Sequence, residues 1–185
     1  STKDLLIDPI MNILSFDIED WYTSYRSSQL PSSDWLKLDS HVVGNTSIIL
    51  DFLDRFNQKA TFYVLGWIVE QHPGLILEIV KRGHELGYHS YDHQVADEQG
   101  PERFEEELVR DLGRIEGLTG KCPLHYRAPI FSTGKNSGWI IPLLLRNGIQ
   151  SSSSYKAFRR FTHTPIPNEP FYFHHHGNKL AEFPL

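Results

Sequence analysis

The stretch "ILSFDIEDWY", residues 13–22, runs from apolar to acidic within a few positions and carries Asp17, Glu19 and Asp20 ahead of two aromatics. Its first half, rich in β-branched and aromatic residues, reads as a strand covered on both faces, the kind found in parallel sheets. Such a strand ends at the rim of a sheet or barrel. The three acids therefore belong to that rim.

Working outward, the chain alternates between helical and strand-like patterns. "NTSIILDFLDRFN" spaces Ile48, Ile49, Phe52, Leu53 and Phe56 as one helical stripe, and "KATFYVLG" follows as a buried strand. "HPGLILEIVKRG" has Pro near its first turn and Gly83 at its end, the usual asymmetry of a helix. "HELGYHS" reads as a short strand running into a loop. "PERFEEELVRDLGRIEGLTG" puts Phe104, Leu108, Leu112 and Ile115 on one stripe and closes on Gly120. A strand around His125 to Ala128, a helix from about Ser137 to Arg146 and a strand entering "GIQSSSSY" complete the pattern. Strands separated by helices in this way predict βαβ units, a parallel sheet and an α/β fold.

At 185 residues the chain suits a single domain, 1–185, with 39% hydrophobic and 22% charged residues. A net charge of -5 argues against nucleic acid as a partner, and the one basic cluster, "FRRF" at 158–161, is too short to change that. The single cysteine, Cys122, excludes an intrachain disulfide and fits a reducing compartment. The first residues carry no pattern of a secretory signal and no segment has the length of a transmembrane helix, so the expected location is the cytoplasm, with peripheral membrane association left open. His174, His175 and His176 are adjacent, so on a strand they alternate faces and cannot all reach one ion.

In parallel α/β folds, ligands bind at the carboxyl ends of the strands. That rim holds Asp17, Glu19 and Asp20, then Leu65 to Trp67, then His89 to His93, then Arg127 to Phe131. "HSYDH" sets His89 and His93 four apart, and two imidazoles with one carboxylate make a three-ligand site with open positions, the arrangement of a hydrolytic metal centre. Three close carboxylates repel unless one binds a cation and another is held by an arginine or takes a proton. Arg127, between an expected buried strand and the stiff Pro129, suits a fixed guanidinium.

"SFDIEDW", "GHELGYHSYDH" and "YRAPIFS", in this order, resemble the successive motifs of the NodB-homology polysaccharide deacetylases, carbohydrate esterase family 4. The closer likeness is to the branch associated with exopolysaccharide and surface-glycan biosynthesis. It extends from about Asn12 to Ser154 and more faintly to "LAEFPL". The resemblance implies a distorted (β/α) barrel and metal-dependent removal of N-acetyl groups from an amino-sugar glycan. Asp17 then corresponds to the general base, His89 and His93 to metal ligands, and Arg127 to the arginine that orients the base. The third ligand is Asp20, with Glu19 as the alternative that strand alternation puts on the same side as Asp17. The metal is divalent, zinc being the first choice. Trp21 and Tyr91 would stack on sugar faces, while Pro129 and Phe131 would line the groove around the acetyl group.

Two departures qualify the likeness. The family's late leucine-histidine motif, which supplies the catalytic acid, has no evident equivalent, which implies a barrel incomplete at its C-terminal strands unless His163 or one of His174 to His176 substitutes. Ser152 stands where relatives have an aspartate before a serine pair, so the support that carboxylate gives is expected to be lacking. Two rival readings share the fold: a catalytically silent glycan-binding or assembly protein, and a hydrolase of small amides.

Overall fold

The computed structural model describes residues 13–23, 30–132, 138–156 and 169–185. Strands β1 (Ser15–Ile18), β2 (Thr61–Val64), β3 (Glu85–Tyr88), β4 (His125–Tyr126) and β5 (Ser151–Ser152) lie side by side in chain order, all parallel. β7 (Asn178–Glu182) continues the sheet in parallel with β5, and β6 (Phe171–His175) ends it as the antiparallel partner of β7. Helices occupy the connections: α1 (Val42–Arg55) after β1, α2 (Gly66–Gln71) and α3 (Pro73–Lys81) after β2, α4 (Ala96–Gln99) and α5 (Pro101–Thr119) after β3, and α6 (Ile140–Arg146) after β4. This is the expected α/β architecture, and a parallel-rich sheet left open between β1 and β6 is compatible with a distorted barrel.

The periodicities account for most of the packing. Every residue of β2 is buried, as its uninterrupted apolar run requires. On α5 the stripe Phe104, Leu108, Leu112 and Ile115 faces the core, and Gly120 ends the helix in the left-handed conformation at φ +74°. Pro73 opens α3, and Leu75, Ile76 and Ile79 are its buried face.

Helix α1 departs from the expected stripe. It begins at Val42, and its buried residues are Val42, Thr46, Leu50 and Leu53, with Ile49 packed at the edge of the core. Ile48 and Phe52 are 69% and 60% exposed, and Phe56 lies outside the core as well. The helix is apolar on two faces, so spacing alone fits either of them, and only the sheet decides which is covered. Phe52 instead stacks on Phe56 at 4.7 Å between ring centroids.

Strand β4 is also shorter than expected, stopping at Tyr126. The amide of Ala128 donates to Ser154 Oγ at 2.9 Å, a side chain taking the place of a neighbouring strand's carbonyl. β6 and β7 form a hairpin that the sequence pattern did not show, turning through His176 (φ 45°) and Gly177 (φ 81°). His174 and His175 fall on successive strand positions, and the histidine run contributes no metal-holding group among the described residues.

Candidate metal centre

The carboxyl ends of β1, β3 and β4 bring the acids, the histidines and Arg127 to one rim. β1 lines up with β2, and β2 with β3, so that Asp17 pairs with Tyr63 and Tyr63 with Gly87, and the chain past β3 enters His89 at this level. A side chain at Gly87 would collide with the Tyr63 ring at 2.4 Å, so the close packing of these strands requires glycine there.

Glu19, His89 and His93 each present one ligand atom within 4.8 Å of the others. His89 is fixed by Nδ1, which donates to the carbonyl of Arg127 at 2.8 Å when it carries the proton, leaving Nε2 with a free lone pair. That Nε2 is buried without a hydrogen-bond partner, and Glu19 Oε2, buried as well, lies 3.4 Å from His93 Nε2. Buried polar atoms are nearly always paired in folded proteins. One carboxylate and two imidazoles brought this close fit a divalent cation, with a nitrogen- and oxygen-donor set suited to zinc.

Electrostatics agree with that donor set. Burial, then the charge of Asp17, pushes Glu19 up to about 7, against the opposing effect of a hydrogen bond with Thr23. Burial, then the neighbouring His89, pushes His93 down to about 4. His89 is lowered as well, chiefly by desolvation. Both imidazoles are therefore neutral near pH 7, the form that binds a metal.

Asp20 does not join this group. Its carboxylate accepts from the amides of Trp21 at 3.0 Å, His41 at 3.0 Å and Val42 at 3.3 Å, and from Ser40 Oγ at 2.6 Å. Strand β1 ends at Ile18; past it Glu19 lies beside His93, with Oε2 3.4 Å from Nε2, while Asp20 turns to the start of α1. There it satisfies amides that the first turn of a helix leaves without partners. The structure thus replaces Asp20 by Glu19 beside the histidines.

Asp17 sits between Arg127 and His89. Its Oδ1 accepts from Arg127 Nη1 at 2.7 Å, and its Oδ2 lies 3.9 Å from His89 Nε2. Arg127 is buried and held on every side: Nε donates to the Ser153 carbonyl at 3.1 Å, and Nη2 donates to Ser15 Oγ at 2.8 Å and Ser153 Oγ at 2.9 Å. Its guanidinium also lies over the Tyr63 ring at 4.1 Å.

The loop that carries the histidines is braced from behind. Glu107, buried on α5, accepts from the Tyr91 amide at 2.9 Å and the Tyr88 hydroxyl at 3.1 Å. The carbonyls of Ser90 and Tyr91 accept from the amides of Gly66 and Trp67, both at 2.9 Å. Gly66 has no room for a side chain, since a Cβ would lie 2.4 Å from Asp111 Oδ2. Ser90 (φ 69°) and His93 (φ 64°) adopt left-handed conformations, as do Ile130 and Phe131 on the neighbouring loop. Backbone strain of this kind gathers where a site must hold an unusual shape.

The remaining expected groove residues separate. Trp21 is 52% exposed, with Nε1 donating to the Asp39 carbonyl at 3.0 Å and its ring packed edge-to-face against Tyr22 at 5.5 Å between centroids. Phe131 is half-buried beside Arg127 and Lys156, and Pro129 is buried beneath it. Tyr91 is committed elsewhere: its hydroxyl donates to Glu70 at 3.1 Å and Arg110 covers its ring at 4.8 Å, so it anchors the loop to α2 and α5. A cavity of about 410 Å³ opens beside His93, between Pro31 and Trp35 on one side and Gln94, Val95 and Arg103 on the other. A second cavity of the same volume runs from the amino ends of the strands, where Glu85 and His125 pair at 3.3 Å, up to Tyr63, Arg127 and Ser153. His163 and "FRRF" lie outside the described residues.

Sequence reasoning passed over Glu107, Asp111, Ser15, Ser153 and Glu182. Glu107 and Asp111 left a signal, because both fall inside the buried stripe of α5. An acid at such a position needs a buried partner.

The fold and this rim define an α/β protein with a carboxylate and histidine cluster at the carboxyl ends of parallel strands. The chain belongs to the polysaccharide deacetylase family, whose model matches residues 30–143, more than half of it. It is 36% identical over 87 residues to the peptidoglycan-N-acetylglucosamine deacetylase PgdA of Listeria monocytogenes, covering 47% of this chain and 19% of that protein. A peptidoglycan-N-acetylglucosamine deacetylase of Bacillus cereus is 31% identical over 101 residues, covering 51% and 47% respectively. The chain thus spans less than half the length of these relatives. In fold it is similar to a structure described as a polysaccharide deacetylase from Mycobacterium smegmatis, with a TM-score of 0.73, 23% identity, and coverage of 94% of this chain and 57% of that one. No helix among the described residues is long and apolar enough to cross a membrane.

Proposed function

We propose that this chain is a metal-dependent N-deacetylase that hydrolyses the N-acetyl group of an amino sugar within a polysaccharide or glycan precursor. The observation that carries this reading is the convergence of Glu19, His89 and His93, each with a ligand atom within 4.8 Å of the others, beside an aspartate clamped by a buried arginine. Family membership and the named activities of the Listeria and Bacillus relatives support the substrate class, and the motif likeness supports a role in surface-glycan biosynthesis.

A divalent ion, zinc by the donor set, supplies Lewis acidity toward water and the amide carbonyl when bound. Glu19, His89 and His93 hold it. Asp17 is the general base: Arg127 occupies Oδ1 and so turns Oδ2 toward the histidines, where it takes the proton of the attacking water. Arg127 keeps that carboxylate in one orientation, because its other donors are used by Ser15 and Ser153. The cavity beside His93 has the volume for a sugar ring.

The test is zinc content together with acetate release from N-acetylglucosamine oligomers. Stoichiometric zinc with zinc-dependent acetate release is expected. Zinc without acetate on any N-acetylated oligomer contradicts the enzymatic reading and leaves a glycan-binding protein.

A further inference from the structure

Glu182 is the one fully buried acid of β7, and the reaction described above makes no use of it. It faces Ser152 across the β5–β7 pairing, and its Oε1 accepts from the amides of Ser154 at 2.7 Å and Tyr155 at 3.0 Å. Two successive amides aimed at one carboxylate oxygen make a small anion nest. The turn they belong to is the one that grips Arg127. Ser153 offers its carbonyl to Nε and its hydroxyl to Nη2, while Ser154 Oγ accepts from the amide of Ala128, the residue after Arg127.

We infer that Glu182 is a positioning residue: it fixes the 152–155 turn, the turn fixes the Arg127 guanidinium, and Arg127 fixes Asp17. This rests on the assignment of Asp17 and Arg127 made above. It also answers a gap read from the sequence, where Ser152 leaves its position without a carboxylate. The carboxylate arrives from the adjacent strand, at the register partner of Ser152. Burial raises Glu182, while the Ser152 hydroxyl, the two amides and the charge of Arg127 all favour its ionised form. A neutral residue of the same shape keeps an acceptor for the amides but gives Arg127 nothing to face.

The experiment compares Glu182→Gln, Glu182→Ala and the relocated pair Ser152→Asp with Glu182→Ser against the parent chain. Acetate release is measured together with zinc content and the NMR signal of the buried Arg127 Nε–H. In Glu182→Ala, kcat is expected to fall about 10–100-fold, the scale for groups that orient active residues, with KM and zinc content unchanged. Glu182→Gln should show a smaller loss in the same direction, and the Arg127 Nε–H should shift and exchange faster in both. The relocated pair should recover most of the activity and the parent's signal. A folded Glu182→Ala or Glu182→Gln with parental kcat and an unmoved Arg127 signal overturns the inference. So does a relocated pair that behaves like Glu182→Ala. Should the parent release no acetate, the deacetylase reading fails by itself, while the Arg127 signal still decides whether Glu182 positions the guanidinium.

Discussion

Two buried polar clusters lie on opposite sides of the His89–His93 loop, and they differ in one respect. On the α5 side, Glu107 and Asp111 are fully engaged, by Tyr88, the Tyr91 amide, Gln99, Arg110 and Arg114. On the rim side, Glu19, His89 and His93 keep buried atoms with no partner. An unpaired buried polar atom costs about 1–3 kcal/mol, so a bound cation that engaged this group would offset a cost that the metal-free fold carries. We read the engaged cluster as scaffold and the rim cluster as the site proposed above. What separates the two is that the α5 acids are paired with hydrogen-bond donors on both oxygens, while the rim acid Glu19 converges with two neutral imidazoles.

Removing the base tests the rim side most strongly. Asp17→Asn should lower acetate release by about 10²–10⁴-fold, the range for a general base, while zinc content stays at the parental value. Loss of the zinc as well would make Asp17 a ligand and redraw the site.

The pH dependence of zinc affinity is the next largest effect. Binding needs Glu19 ionised and both histidines neutral. In the metal-free protein Glu19 takes up its proton as pH falls through about 7, and His93 does so near 4. Affinity should therefore be highest above pH 7, fall by up to about tenfold per unit below it, and fall more steeply below about 4. Calorimetric titration of zinc across this range checks the sign. A flat profile between pH 5 and 8 would contradict a raised Glu19 carboxyl acting as a ligand.

The scaffold side should answer in stability. Glu107→Ala leaves the Tyr91 amide and the Tyr88 hydroxyl without their buried acceptor, at a cost of about 1–3 kcal/mol in denaturant unfolding. The folded fraction should retain its zinc. Loss of zinc at unchanged stability would move Glu107 from scaffold to site.

The sequence carried the architecture because its strands are continuous apolar runs and α5 has only one apolar face. It carried the rim for the same reason, since strand ends locate Asp17, His89, His93 and Arg127 once the strands are known. It did not resolve α1, whose two apolar faces fit the spacing equally, and only contact with the sheet leaves Phe52 outside. Nor did it separate Glu19 from Asp20. Their difference lies in the amides of His41 and Val42, more than twenty residues away in the chain, which claim Asp20 as a helix cap. Glu182 was hidden in the same way, because its meaning depends on a strand pairing with Ser152 that no local pattern encodes.

The adjacent acids also provide the most direct test of the central claim, that Glu19 completes the metal site with the two histidines. Zinc affinity and thermal stability are measured for Glu19→Gln and Asp20→Asn side by side. The expected result is a loss of zinc affinity of at least about tenfold in Glu19→Gln, against near-parental affinity with reduced stability in Asp20→Asn. Retained zinc in Glu19→Gln together with lost zinc in a folded Asp20→Asn would contradict it.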